Sequence, residues 1–434
     1  MQTHPRIGIK AISVYIPRHF LSLDTLAVVT GVDPAKYHLG LGIRRMAVAA
    51  PNEDPVTMAA AAAHDLFARY DIDAATVGLL VVGSESGVDA AKPIASFVHG
   101  MLGLSPDCRT FDTTHACYGG TAALRLASDW HAVRGTRTGK VALVIATDVA
   151  RYPVGSAAEP TQGAGAVAMV VGGDPEVMEL DPFPEAVYTK DVMDFWRPHY
   201  RREAIVDGQV SIDCYLRALG HTWAAYEQSS GLCWDDYDYL LFHVPFPKMA
   251  YKAFHMLHQR EVLVRGASGA GLASLEDAFI ARTQPALWVN AEVGNIYSGS
   301  LYLSLASLLE AGGPGVQGSR AGLFSYGSGC CGEFFSGRLG PRSTAWEGKI
   351  GAREAMESRI ELDYEQYLEF RRAGARMTLD GSFAAGVARP VPGRFSFDGI
   401  RDHQRVYTTA QEDLGRDWAA SDARASSAKA QIGK

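Results

Sequence analysis

Residues 115–148 read HACYGGTAALRLASDWHAVRGTRTGKVALVIATD. From Gly120 to Trp130 the Ala- and Leu-rich stretch keeps the spacing of a helix. Val141 to Ala146 is an unbroken apolar run that closes on Thr147-Asp148. An apolar run of that length, next to a helix and bounded by polar residues, predicts a strand buried on both faces. The same alternation recurs on either side. Val77–Val82, Tyr239–Phe242, Ala286–Val289 and Gly322–Ser325 read as further strands, and Met58–Tyr70, Pro247–Arg260 and Leu301–Glu310 as further helices. In the helix from Pro247, Met249, Ala250, Ala253, Phe254, Met256 and Leu257 share one face, and Lys248 and Lys252, four apart, share another. The expected fold class is α/β with buried sheets.

At 434 residues the chain exceeds what one core usually supports, so two domains or a duplicated unit are expected. A net charge of −7 argues against a general nucleic-acid binder, which needs a positive field. Any polyphosphate ligand must therefore meet a local basic cluster. Met1–Pro17 lacks the long apolar core of a signal peptide, and the apolar stretch Ala164–Val171 is too short to span a bilayer. A soluble cytoplasmic protein is expected, with no membrane or nucleic-acid partner. Its six cysteines (Cys108, Cys117, Cys214, Cys233, Cys330 and Cys331) form no CxxC pair, which fits free thiols better than a zinc knuckle or a disulfide framework. No metal site is expected. Arg416–Lys434, Ala-, Ser- and charge-rich, reads as a mobile tail.

Ligands of α/β sheets gather at the carboxyl ends of strands. The residues found there are Gly83-Ser84-Glu85, Thr147-Asp148, His243-Val244-Pro245, Gly294-Asn295 and Tyr326-Gly327-Ser328-Gly329. Cys117 stands just before a Gly-Gly helix start, where the dipole and free N–H groups are expected to lower a thiol's pKa and to hold a thioester oxyanion. Buried, inert cysteines are common, so a packing role stays open on this reading alone. His243 reads equally as a hydrogen-bonded core histidine, Glu85 as a cap carboxylate, and Lys248 with Lys252 as a solvated face.

The order of motifs resolves these alternatives. KYHLGLG (36–42), EDPVTMAA (53–60), SES (84–86) with Asp89-Ala90-Ala91-Lys92, HACYGGTAAL (115–124) and ATDVARY (146–152) come first. EPTQGAGAVAM (159–169), DVMDFWRP (191–198), HVPFPKMAYKA (243–253), GNIYSGSLYLSL (294–305) and LFSYGSG (323–329) follow. Together they resemble the hydroxymethylglutaryl-CoA synthase family from Gly8 to about Tyr407. That resemblance implies a thiolase-like fold, two similar α/β halves stacked as α-β-α-β-α layers, in a homodimer. The expected division is residues 1–180, carrying Glu85 and Cys117, and 181–415, carrying His243, Asn295 and the glycine loop, with 416–434 as the tail.

The resemblance further implies that Cys117 is acetylated by acetyl-CoA, that Glu85 removes a proton from the acetyl methyl group, and that His243 polarises the carbonyl of an acetoacetyl thioester. Asn295, Tyr326 and Ser328 would position that second substrate and, with Cys117 N–H, form the oxyanion hole. Tyr118, Asp148, Tyr152, Phe195 and Pro245 would line the pocket, and Lys248 and Lys252 would meet CoA phosphates. No cofactor beyond the CoA thioesters is implied.

One motif departs from the mevalonate-type members. The glycine loop continues Gly329-Cys330-Cys331-Gly332-Glu333, which resembles the branch that acts on carrier-protein-bound acetoacetyl groups in polyketide β-branching. DFWRP, GNIYSGS and FSFDGIRDHQRVY (395–407) favour the CoA-using type. Two other readings compete. An initiating ketoacyl synthase shares the Cys, His and Asn pattern but needs no base such as Glu85, and a silent scaffold would lack the nucleophile or the base.

Overall fold

The computed structural model describes residues 6–183, 186–201, 203–266, 271–375, 383–384 and 395–408. The tail expected at 416–434 lies outside them. The elements that place the site are β1 (Ile7–Tyr15), α1 (Pro55–Tyr70), β2 (Val77–Gly83), β3 (Arg109–Thr113), α2 (Gly119–Trp130), β4 (Val141–Val149), β5 (Ala164–Gly173), β6 (Met178–Leu180), β7 (Ala186–Thr189), α3 (Gly208–Ser230), β8 (Tyr239–Phe242), α4 (Pro247–Arg265), α5 (Trp288–Val293), α6 (Ser300–Gly312), β9 (Arg320–Gly327) and β10 (Cys331–Leu339).

These strands hydrogen-bond in the order β8-β9-β10-β6-β1-β5-β4-β2-β3, with β7 also on β10. Each half has a parallel part, β3-β2-β4 in one and β8-β9 in the other, flanked by antiparallel strands. The half-sheets meet at β6, which pairs with β1 on one side and β10 on the other.

Side-chain alternation along the strands makes the layers. Leu79, Val81, Ala142, Val144, Val167 and Met169 of the first half share a core with Leu241, Ala321, Leu323 and Phe335 of the second, and with Ala123 and Leu124 of α2 and Leu301, Leu305 and Leu308 of α6. The intervening residues face outward. Leu80, Val82, Leu143 and Ile145 pack on α1, while Leu240, Phe242, Phe324 and Phe334 pack on α3 and α4. Strands buried on both faces cannot alternate apolar with polar, which is why they read as continuous runs. The result is the five-layer, thiolase-like α/β arrangement, with α2 and α6 in the middle. From Ser300 to Leu309 every residue of α6 is buried, as a central helix requires.

One expected strand is not one. Ala286–Val289 falls across a 3-10 turn (Gln284–Ala286) and the start of α5. A short apolar run bounded by polar residues has the same composition in a buried helix as in a strand, and Trp288 and Val289 are met here in a helix.

The C-terminal stretch crosses the expected division at residue 180. Ile360–Glu361 pairs in parallel with His19–Ser22, and Leu362 and Tyr367 join a core with Leu21, Leu26, Tyr37 and Met46. Farther on, Arg405 Nη2 donates to Asp54 at 2.6 Å and Tyr407 Oη donates to the same carboxylate at 2.8 Å. Asp54 caps α1 through a reciprocal bond with Thr57. Residues of the late chain thus complete the first half.

Candidate active site

Cys117 lies in the turn before α2, and its predecessor Ala116 holds a left-handed φ of 42°. A residue with a Cβ occupies that region at a cost of about 1–3 kcal/mol, so the surroundings must impose it. Gly327 is one of the causes. A Cβ there would stand 2.4 Å from the His115 carbonyl oxygen and 2.6 Å from Tyr118 Cβ, so the end of β9 presses directly on the Cys117 turn. Gly120 provides a second close approach, with Ser298 O 2.5 Å from where its Cβ would be. The starts of the two central helices therefore almost touch, and the residues leading into each share one space.

That space is a cavity of about 630 Å³ between the halves. Cys117 and Tyr152 of the first half line it together with Phe195, His243, Pro245, Asn295, Tyr326 and Ser328 of the second. All eight were expected from the sequence. Glu85 stands behind the thiol instead of on the wall, and Cys117 Sγ donates to its Oε1 at 3.6 Å.

Burial sets the electrostatics. Desolvation, then the charge of Asp148, pushes the Glu85 carboxyl up to about 8, with Arg197 and the thiol opposing. Desolvation and the two carboxylates Glu85 and Asp148 raise the Cys117 thiol well above its ordinary range. This reverses the expectation that the helix start would favour a thiolate. A helix N-terminus contributes about 0.3–1 kcal/mol, less than burial between two acidic groups opposes. Cys117 thus rests as a thiol. Burial holds His243 down at about 3, so its ring is neutral, and Nδ1 has no hydrogen-bond partner among the described residues.

Two expected pocket residues do other work. Asp148 is fully buried and off the cavity wall. Its Oδ1 accepts from Ser84 Oγ (3.0 Å), Glu85 N (2.9 Å) and Ser86 Oγ (2.8 Å), and its Oδ2 from Ser298 N (3.0 Å) and Ser298 Oγ. It fixes the Glu85 loop to the start of α6, because a carboxylate at the end of a central strand meets the polar groups of both halves. Tyr118 also points inward, and its hydroxyl donates to Glu333 Oε2 at 2.6 Å, beside the Arg125–Glu333 ion pair.

Of the remaining expected residues, Asn295 Oδ1 accepts from Tyr297 N and Ser300 Oγ, both at 2.8 Å, which leaves its amide nitrogen for the cavity. Tyr326 Oη and Gly329 N each donate to buried Asp194 at 2.8 Å, which pins the glycine loop. Lys248 and Lys252 are off the wall, on the first turns of α4, whose neighbours Phe246 and Met249 line the cavity. Cys330 and Cys331 are buried, and Cys331 Sγ accepts from Thr189 Oγ1.

Several residues of the site were not anticipated. Tyr297 lies in the GNIYSGS motif and lines the cavity, its ring centroid 5.8 Å from Phe195 and 6.3 Å from Tyr152. Arg197, in DFWRP, lies close enough to bear on Glu85. Tyr215 donates to the His243 carbonyl at 2.8 Å. Motif position could have flagged the first two. Tyr215, among Cys214, Ala218 and Leu219 on one helix face, carries only the signature of a core residue.

The family models described as hydroxymethylglutaryl-coenzyme A synthase N terminal and C terminal match residues 4–176 and 178–378. The chain is 39% identical to a hydroxymethylglutaryl-CoA synthase of Enterococcus faecalis, over 77% of this chain and 83% of that one. It is 36% identical to the polyketide biosynthesis 3-hydroxy-3-methylglutaryl-ACP synthase PksG of Bacillus subtilis, over 85% and 88%. The solved structure of MvaS in complex with 3-hydroxy-3-methylglutaryl coenzyme A superposes with a TM-score of 0.85 at 40% identity, covering 94% of this chain and all of that one.

Proposed function

Since the chain belongs to the hydroxymethylglutaryl-CoA synthase family, we propose that it condenses acetyl-CoA with acetoacetyl-CoA and hydrolyses the product to 3-hydroxy-3-methylglutaryl-CoA and CoA. The observation that carries this reading is the Cys117 thiol on the cavity wall, with Glu85 3.6 Å behind it and His243 and Asn295 lining the same cavity.

In the first step Cys117 sulfur attacks the acetyl-CoA carbonyl, and CoA leaves carrying the thiol proton. Covalent attachment places the acetyl group before the second substrate arrives. Once Sγ carries the acetyl group, Glu85 is the nearest carboxylate to its methyl, and a pKa near 8 suits a base working around neutral pH. The carbanion attacks the ketone carbon of the acetoacetyl group. His243 hydrogen-bonds the developing alkoxide, while Asn295, Tyr326 and Ser328 orient the acceptor, and Cys117 N–H stabilises the thioester oxygen. Water then cleaves the Cys117 thioester, which leaves a free carboxylate on the product. Tyr152, Phe195 and Pro245 wall the acyl chain, and Lys248 with Lys252 meets CoA phosphate at the mouth. The thioesters are the only non-protein groups in this scheme.

The second reading, a carrier-protein-bound acceptor, is supported by the Gly329–Glu333 stretch and by the likeness to the Bacillus subtilis relative. The CoA reading is preferred because the DFWRP and GNIYSGS motifs favour it and the Enterococcus faecalis hydroxymethylglutaryl-CoA synthase is 39% identical to this chain, against 36% for the Bacillus subtilis relative. Offering acetyl-CoA with either acetoacetyl-CoA or acetoacetyl-carrier protein decides between them. Rapid product from the free thioester is expected, and turnover confined to the carrier would replace the CoA reading. A homodimer in the cytoplasm is part of the proposal. Among the described residues no helix is long and apolar enough to cross a membrane, and all six cysteines are free.

A further inference from the structure

Behind the aromatic wall of the cavity lies a polar cluster that the scheme above does not use. Arg371, on the helix Tyr364–Ala375, extends its guanidinium under Tyr152. Its Nη2 donates to the Tyr152 carbonyl at 2.6 Å and to Glu203 Oε1 at 3.2 Å, and its Nη1 donates to Gln162 Oε1 at 2.7 Å and Tyr367 Oη at 3.0 Å. Gln162 Oε1 also accepts from Tyr152 N at 2.8 Å. One arginine and one glutamine therefore hold both backbone groups of Tyr152. Gln162 is bridged to Asn295, and Glu203 precedes the lining residues Ala204 and Ile205, so the same cluster is joined to three separate stretches of the cavity lining. Tyr367 completes it by donating to buried Glu159 at 2.7 Å.

We propose that Arg371 is a positioning residue that sets the depth of the acyl pocket through the backbone of Tyr152, and so selects acetyl over longer acyl thioesters. This rests on the reading of Cys117 as the acyl carrier. Arg371 touches no substrate. Its planar fork fixes two acceptors at once, which a lysine with a single charged point cannot reproduce. A wall free to retreat by an ångström would misplace the acetyl carbonyl relative to Glu85 and His243 and make room for an extra methylene.

Arg371→Met and Arg371→Lys test this in the full-length protein. With acetyl-CoA, Arg371→Met is expected to lose about 10- to 100-fold in kcat of acyl transfer, with KM moving less than about threefold. Its preference for acetyl-CoA over propionyl-CoA is expected to fall about tenfold. Arg371→Lys should recover part of kcat while keeping the relaxed preference, and it carries the test if the methionine variant does not fold. Hydrogen exchange of the peptide containing Tyr152 should speed up in either variant. Unchanged acyl preference, or unchanged exchange at Tyr152, overturns the proposal. A wild-type protein that takes up no acyl group would instead overturn the reading of Cys117, and the exchange measurement would still decide whether Arg371 holds the wall.

Discussion

Cys117 and Glu85 are inseparable at the residue scale: across 3.6 Å the carboxylate raises the thiol's pKa, while the thiol, donating to that carboxylate, lowers the Glu85 pKa against the larger effect of burial. Cys117→Ala is expected to take up no acetyl group from acetyl-CoA by intact mass. Glu85→Ala is expected to become acetylated, since its carboxylate opposes thiolate formation, yet to form no condensation product. Product at the wild-type rate from Glu85→Ala would remove it from the mechanism. The pH dependence follows from the sign of the Glu85 shift. A base must be ionised, and a group raised to about 8 loses its ionised form as pH falls. The condensation rate should therefore drop about tenfold per pH unit below about pH 7 and level off above about pH 9. A rate independent of pH across that range would place the proton abstraction elsewhere. Glu85, Cys117, His243 and Asn295 were legible in the sequence because each ends a strand or precedes a helix within a motif. Arg371 was not, since an arginine on a polar helix near the end of a chain reads as solvated.

Elements were legible where periodicity is strong and equivocal where a run is short. β2, β4, β8 and β9 fall where the apolar runs predict them, and Ala286–Val289 shows the limit, because burial without length does not distinguish helix from strand. Two sequence glycines, in contrast, encode a contact between elements that no local pattern displays. Gly120→Ala would bring a Cβ within 2.5 Å of the Ser298 backbone oxygen, where no flexible side chain can yield. It is expected to destabilise the protein by about 1–3 kcal/mol in denaturant unfolding. It should also lower kcat, because Ser298 is tied through Asp148 to the Glu85 loop. A Gly120→Ala protein of wild-type stability would mean that α2 and α6 can separate freely.

The cavity belongs to the whole molecule, since neither half closes it alone. A CoA thioester bound there should stabilise the two halves together. At a hundredfold excess over Kd, a single unfolding transition is expected to gain about 2.7 kcal/mol. Two transitions, only one of them shifted by ligand, would show that the halves unfold independently. The likeness of the two halves was not visible in the sequence. What the halves share is two-faced burial and strand direction, which many unrelated residues satisfy. Nor was the return of residues 360–375 and 395–408 to the first half, because nothing local in those segments names a partner so distant along the chain.

That return has a consequence for how the protein is made. Asp54 caps α1, and its ionic partner Arg405 comes from the last described strand pair, with Tyr407 on the same carboxylate. During synthesis the first half leaves the ribosome with this carboxylate and the surrounding apolar surface uncovered, and it stays so until almost all of the second half has been translated. The nascent chain therefore carries an unfinished first half through most of its own elongation, the stage at which uncovered apolar surface is open to wrong contacts.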